Sequence, residues 1–489
     1  MEGRPSNTAH VLLLPYPSQG HLNPLLQFGK RLAYKGLTVT FATTAFIAKS
    51  LPTTHVGPVK VETISDGFDG GGFGESESIE AYLHNMGDVG SRTLAELVRR
   101  LDRRGQPVTC IVYDAFLTWA LEVAKNQLGV HGAPFFTQFG AINVFYYHSY
   151  HEKRPTNYIS AASSGSIAPS LPGVLAKLDV SDLPSFFSVP GSYPAYLQLV
   201  LNQFSNLEKA DWVIFNTFYE LEPEVMDWMA RLWRVKAVGP TVPSKYVDGR
   251  PEQDREYGIA LWNPDGESCT EWLNTLPRGS VMFVAFGSMV SMDVEQLENV
   301  AWALQNCSNH FLWVVTESEE GKLRCCSFKE ETKERGLIVR WCTQVEVLAH
   351  PAVGCFVSHC GWNSTLEALC LGVPLVGVPQ WTDQPMVAKY VEDVWRTGLR
   401  APAKENGIVK GETLLECIKE VMEGERGVEI RRNAIRWKEL ARRAMDEGGS
   451  SDADTEDFVR ELVQSSHNKI GERKKSDVFI LGTSDTAIS

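Results

Sequence analysis

The stretch from Trp341 to Gln384 brings together residue types that suit a nucleotide sugar. In GCFVSHCGWNSTLEALCLG an apolar run ends near His359, a glycine follows, and Asn363 or Ser364 opens a helical pattern whose Leu366, Ala368 and Leu369 face inward. The free N–H groups and positive dipole end of such a helix favour an anion, and His359, Asn363 and Ser364 add side-chain donors for a diphosphate. A reading without a ligand stands beside this one: Ser364 with Glu367 three residues on fits a capping box, and Glu367 can cap and still meet a ribose. Eighteen residues before His359, Trp341 closes the run GLIVRW, and Gln344 follows. An aromatic plane at a strand end is a stacking platform for a base, with the Gln amide open to the nucleoside; alone, the pair also reads as a core Trp and a loop Gln. Past PLVGVP come Asp383 and Gln384, a carboxylate and an amide suited to vicinal hydroxyls. Neighbouring strand ends thus offer partners for base, phosphate and sugar in order, and that company favours the ligand.

Moving a sugar from a diphosphate to an alcohol needs a base, and His is the usual choice near neutral pH. His21 stands in PYPSQGHLNP, a loop between the first apolar run and a helix opening at Asn23. The helix dipole there favours the neutral imidazole; a loop His satisfied by backbone is the alternative. Asp114 ends TCIVYDA, where it can orient the far ring nitrogen of His21 or cap the helix beginning near Leu117. Thr137, in PFFTQ, is placed either to touch the sugar or to lie buried in its strand. No HExxH occurs and no DxD stands at a strand end, so the expected chemistry is metal-free, with no cofactor beyond the co-substrate.

The text WCTQVEVLAHPAVGCFVSHCGWNSTLEALCLGVPLVGVPQWTDQ resembles, along all 44 residues, the signature box of plant secondary-product UDP-glycosyltransferases. The resemblance implies an α/β fold of GT-B architecture, two Rossmann-like doubly wound domains facing each other across a cleft. It implies that Trp341 stacks on uracil with the Cys342 backbone bonded to it, and that Gln344 and Glu367 hold the ribose. His359, Asn363 and Ser364 would bind the phosphates, with Gly361 permitting close approach and Ser288, in AFGSMVSM, adding a contact. Trp362, Asp383 and Gln384 would face the sugar, and Gln at the last position resembles glucose-preferring members. His21 and Asp114 match the family's catalytic pair, which implies a single displacement giving a β-glucoside.

The likeness extends from about residue 8 to residue 465, and KLRCCSF departs where relatives often carry Leu-Pro. SQGHLNP, ISDGFDGGGF and VGPTVPS resemble one subgroup, which glucosylates hydroxyls of terpenoids, steroids and phenolics or makes glucose esters of carboxylic acids. The expected function is therefore transfer of glucose from UDP-glucose to a hydroxyl of a lipophilic small molecule, with ester formation as the alternative. A non-catalytic binder of the sugar nucleotide would have lost His21 or Asp114.

Two series of βα units must hold these residues. HVLLLPYP, the helical NPLLQFGKRLAYKG closed by Gly36, and LTVTFATT form the first, followed by TCIVYDA, LTWALEVAKNQLGV and APFFTQ. Such alternation predicts a parallel sheet with helices on both faces and ligands beyond the carboxyl ends of its strands. From Ser160 to Tyr196 the text turns rich in Ser, Pro and Gly, with LPSFF inserted, which predicts loops and short helices. VMFVAFGS restarts the alternation at Ser280, and HFLWVV, GLIVRW, GCFVSH and PLVGVP continue it. The expected division is an acceptor domain over 1–240, a linker over 241–276, a UDP-sugar domain over 277–450, a helix over 451–466 returning to the first domain, and a disordered tail over 467–489. Phe68, Phe116, Trp119, Phe139, Phe145, Tyr146, Tyr147, Phe186 and Phe187 supply mostly core, with a few lining an apolar acceptor pocket.

At 489 residues the chain exceeds one compact core, and a net charge of −13 argues against a nucleic-acid-binding surface. Ten cysteines without a CxxC pair, nine of them after residue 268, read as buried free thiols of a reducing compartment. The short run Val11–Tyr16 ends in Pro and Gly and reads as a first strand rather than a signal peptide, and no run is long enough to span a membrane. A glycan on the sequon at Asn363 would block the phosphate site. The expectation is a cytoplasmic monomer whose partners are UDP-glucose and its acceptor.

Overall fold

The computed structural model describes residues 9–51, 55–152, 171–174, 178–189, 191–250, 254, 257–259, 261, 266–288, 292–323, 328–404 and 406–481. Parts of the expected loops over 160–196, of the linker, of KLRCCSF and of the tail lie outside them.

The first sheet contains β1 (His10–Leu14), β2 (Thr38–Thr44), β3 (His55–Val56), β4 (Val59–Ile64), β5 (Cys110–Asp114), β6 (His131–Phe136), β7 (Val213–Phe215) and β8 (Val235–Ala237). Their order is β3-β4-β2-β1-β5-β6-β7-β8, and neighbours run parallel except β3 with β4. HVLLL in β1 is buried at every position because helices cover both faces, so the strand reads as a continuous apolar run. The chain order reverses between β1 and β5, which opens a crevice beyond their carboxyl ends.

The second sheet repeats the plan with β9 (Val281–Ala285), β10 (His310–Val314), β11 (Gly336–Val339), β12 (Val353–Ser358), β13 (Leu375–Gly377) and β14 (Gly398–Arg400), all parallel in the order β11-β10-β9-β12-β13-β14. Its own reversal falls between β9 and β12, so Ser288 and His359 emerge on either side of a crevice. The two Rossmann-like sheets make the architecture that the resemblance implied.

Residues 241–250 are packed rather than loose. Thr241, Val242, Ser244 and Val247 are buried, and the guanidinium of Arg31 donates to the carbonyls of Val238, Pro240 and Val242. Further on, Asp254 accepts from Gln27 and pairs with Lys30 at 2.9 Å, so the charge in this text serves a buried pairing. The helix Ser450–Leu481 lays Phe458, Val459 and Leu462 into the core of the first sheet, beside Phe28, Phe135 and Trp212. It runs on to Leu481, where a disordered tail after residue 466 was expected; helical hydrogen bonds are local, and polar text of good propensity can continue a helix that its first turns have nucleated. No helix among the described residues is long and apolar enough to cross a membrane. The described cysteines are free, and all but Cys417 are buried.

Candidate active site

Three adjacent strands of the first sheet end at one point. Beyond β1 the chain turns at Ser18 into the helix Gln19–Tyr34, which places His21 in the first helical turn and not in a loop before Asn23. Asp114 closes β5, and Thr137 is the first residue after β6. His21 Nδ1 lies 2.6 Å from Asp114 Oδ2 and 3.1 Å from Thr137 Oγ1. Asp114 Oδ1 accepts from the Phe116 amide at 3.1 Å, so this carboxylate holds the turn with one oxygen and the imidazole with the other. Asp114 is 1% exposed and His21 15%, so the pair opens to one side only. With Nδ1–H on the carboxylate, the ring keeps the tautomer whose Nε2 lone pair is free for the cleft. The rings of Tyr16 and Phe116, 5.4 and 5.0 Å from the imidazole by centroid, fix its plane. Thr137 lines the cleft, and its oxygen faces His21 Nδ1 while its O–H keeps a hydrogen to donate.

A cleft of about 690 Å³ connects this pair to the strand ends of the second sheet. There the helix Trp362–Leu371 begins with Gly361 as its N-cap, and no side chain caps it. Ser364 therefore lies inside the first turn, and the capping-box alternative falls: its Oγ accepts from Gln344 Nε2 at 2.9 Å. Gln344 Nε2 also donates to Glu367 Oε2 at 2.8 Å, while the Tyr257 hydroxyl donates to Glu367 Oε1 at 2.8 Å. Uncapped first-turn N–H groups are what an anion needs.

His359 follows β12, and Cys360 takes the left-handed conformation with φ of 61°. That turn folds Gly361 back over the imidazole: a Cβ on Gly361 would stand 2.5 Å from His359 Nε2, and one on Gly287 2.8 Å from it. Both glycines are thus required by the close approach of the ring, and Ser288 extends the same wall. Burial pushes the His359 imidazole down to about 4, against a hydrogen bond with the Ala285 backbone, so the ring is neutral in the open cleft. Burial raises Glu367 to about 6 against its bonds from Gln344 and Tyr257, and raises Asp383 against a bond from Thr382.

Trp341, two residues past β11, and Cys342 line the same end of the cleft. Asp383 stands at the N-cap position of the helix Gln384–Asp393, and its carboxylate accepts from Thr382 Oγ1 at 2.8 Å. Gln384 Oε1 accepts the amides of Gln380 and Trp381 at 2.9 and 3.1 Å, which leaves its NH₂ as the donor for a ligand. Asn363 is engaged across the cleft, its Nδ2 donating to the Gly20 carbonyl at 2.5 Å, next to His21.

Trp362 touches the cleft but holds most of its ring away from it. Its ring is 4% exposed, its Nε1 donates to the Asn216 carbonyl at 2.8 Å, and it packs between Phe139 and Trp395. An indole at the first position of this helix buries most of its ring and pairs its N–H, so the side chain joins the two halves while one edge lines the cleft. Of the aromatic residues read as mostly core with a few at the acceptor, Phe116 and Phe186 line the cleft, whereas Phe139, Phe145, Tyr146 and Phe187 are core and Phe68 stacks on Tyr82. Sequence reasoning missed Tyr16, Gln138, Tyr196, Val200, Tyr257 and Trp381 on the walls. Trp381 adjoins Asp383 and was findable; Tyr257, in linker text, carried no signal. Among the described residues the walls hold no Lys or Arg.

A family model described as UDP-glucoronosyl and UDP-glucosyl transferase matches residues 257–440, and one described as Glycosyltransferase, N-terminal domain, matches residues 7–55. The chain is 47% identical to UDP-glycosyltransferase 74F2 of Arabidopsis thaliana, over 92% of this chain and 97% of that protein. It is 43% identical to mogroside I-E synthase of Siraitia grosvenorii, over 93% of this chain and 99% of the other. The solved structure of Os79 from O. sativa in complex with UDP superposes with a TM-score of 0.86 at 42% identity, covering 92% of this chain and 100% of its own.

Proposed function

The chain belongs to the plant UDP-glycosyltransferases, and on that premise we propose that it transfers glucose from UDP-glucose to a hydroxyl of a lipophilic small molecule, with inversion at the anomeric carbon. The observation that carries this reading is the His21–Asp114 pair, 2.6 Å apart, beside a chamber walled by Tyr16, Phe116, Phe186, Tyr196 and Val200. The donor lies opposite, with uracil on Trp341 and the Cys342 backbone, ribose on Gln344 and Glu367, and the diphosphate on Ser288, His359, Ser364 and the first-turn N–H groups that Gly361 uncovers. Asn363 stands at that helix end, and Asp383 and Gln384 take the glucose.

In the reaction the acceptor O–H gives its proton to His21 Nε2 as its oxygen bonds to C1. The bond from C1 to the β-phosphate oxygen breaks on the opposite face, and UDP leaves with the electron pair. Asp114 stabilises the imidazolium that forms, and Thr137 helps to hold the ring. The helix dipole and its uncapped N–H groups meet the charge growing on the leaving diphosphate, a route that uses no metal.

The walls also bear on the acceptor. An ionised carboxylate would enter a cleft lined by Asp383 and Glu367 with no Lys or Arg among the described lining residues, which disfavours it against a neutral alcohol. Alcohol acceptors are found among the relatives, as in the flavonol 7-O-beta-glucosyltransferase, 43% identical, and in Os79 solved with a trichothecene; an acid acceptor is found there too, as in crocetin glucosyltransferase 2, also 43% identical. Product analysis with UDP-glucose and matched alcohols and acids tests the reading. Base-stable β-glucosides, formed equally well in the presence of EDTA, are expected; base-labile glucose esters as the main product would refute the hydroxyl acceptor.

A further inference from the structure

The segment around Asp182 belongs to the first half of the chain yet is tied to the second. Asp182, 4% exposed, pairs with Arg400 at the end of β14 and lies 3.8 Å from Lys389 Nζ, while Arg400 Nη2 donates to the Ser181 carbonyl at 2.7 Å. Three residues on, Ser185 grips the loop that precedes the helix Gln384–Asp393. The Ser185 amide donates to the Thr382 carbonyl at 2.8 Å, and the Thr382 amide donates to Ser185 Oγ at 2.7 Å.

The gripped residue is unusual. Thr382 has φ of 55°, a conformation that a β-branched side chain adopts at a cost and keeps only where its surroundings enforce it. Its hydroxyl donates to Asp383 Oδ1 at 2.8 Å, so the backbone that Ser185 holds also sets where the Asp383 carboxylate stands. On the other side of Thr382, Trp381 lines the cleft and packs edge-on against Tyr193 and Tyr196, at 5.2 and 5.5 Å. Phe186, next to Ser185, lines the acceptor chamber. One short loop therefore meets the acceptor side at Trp381 and the sugar side at Asp383 and Gln384, and its midpoint is clasped by a residue of the acceptor domain.

We infer that Ser185 is a positioning residue for the donor sugar: its two hydrogen bonds to Thr382 hold Asp383 and Gln384 in the register that selects glucose. The inference rests on the assignment of the cleft to UDP-glucose made above. The nucleotide end of the donor, on Trp341 and Glu367, has no part in the clasp, so the effect is confined to the sugar.

Ser185→Ala removes the bond to Oγ and keeps the backbone bond; Ser185→Thr keeps the hydroxyl. Loss of one such bond corresponds to about three- to tenfold in an equilibrium or rate. The expected result for Ser185→Ala is a KM for UDP-glucose raised by about that factor and a preference over UDP-galactose, the C4 epimer, reduced by about as much, with the Kd for UDP within about twofold of wild type. Ser185→Thr is expected near wild type, and Asp182→Asn, which removes the ion pairs with Arg400 and Lys389 and so loosens the segment, is expected to move the same two quantities as Ser185→Ala in the same direction. The inference is overturned if folded Ser185→Ala and Asp182→Asn keep both KM and epimer preference, or if UDP and UDP-glucose weaken together. A wild-type protein that does not turn over UDP-glucose at all would instead refute the functional reading beneath it.

Discussion

Glu367 is the acid in the donor wall whose ionisation falls in an accessible range, at about 6, because burial opposes its charge. Protonation puts a hydrogen on one oxygen, which already accepts from Gln344 or Tyr257, and removes an acceptor site from the ribose. UDP-glucose carries no phosphate group titrating near that pH, since both its phosphates are esterified. The KM for UDP-glucose is therefore expected to rise as pH falls below about 6 in the wild type, and to be higher but flat with pH in Glu367→Gln. For stability the sign is reversed. A carboxyl raised above its ordinary 4.5 favours the folded state below that value, by about 2 kcal/mol, and loses this contribution as pH rises through about 6. Glu367→Gln should consequently melt no lower than wild type at pH 7.5, as calorimetry would show. The sequence placed Glu367 and Ser364 at the correct spacing for a cap, and it could not reveal that Gly361, with no side chain to offer, starts the helix.

At the scale of elements, strands whose two faces are covered were legible as apolar runs, which is why β1, β5, β9 and β12 and the residues at their ends were placed. The three-residue strand β13 showed in the apolar run PLVGVP, whereas β7, β8 and β14, equally short, lie in text with no such run, and VKVETI in β4, the second strand of the edge hairpin, alternates polar residues and went unread. The helix Trp362–Leu371 shows a second limit: a motif fixes a residue's position but not the direction of its side chain. Trp362→Phe keeps the ring between Phe139 and Trp395 and removes the donor to Asn216. It leaves a buried carbonyl unpaired and is expected to lower unfolding stability by about 1–3 kcal/mol, measured in denaturant. The preference for UDP-glucose over UDP-galactose should be unchanged, in contrast to Ser185→Ala.

Across the whole molecule, the two domains are held by more than a covalent linker. Residues 241–250 pack on the helix Gln19–Tyr34, Asn363 bonds to Gly20, and the final helix crosses back to the first sheet. Phe458 packs against Phe28 and Trp212, with Glu461 accepting from the Trp212 indole at 2.6 Å. Phe458→Ala should cost about 3–5 kcal/mol, read as a lower melting temperature, whereas a chain ending after residue 466 should melt near the full-length value. The two-domain division was legible because the βα alternation stops and restarts; the buried role of the linker was not, because Pro and charge read the same in a loop and in a buried ion pair. These contacts bring His21 from one sheet to the donor wall of the other, and a single comparison tests that convergence most directly. Glucosyl transfer from UDP-glucose to an alcohol acceptor is measured for wild type and His21→Ala, with the Kd for UDP measured alongside. The predicted result is a fall in kcat of about 100- to 10,000-fold with UDP binding unchanged; transfer to the alcohol within about tenfold of wild type would contradict a base at His21.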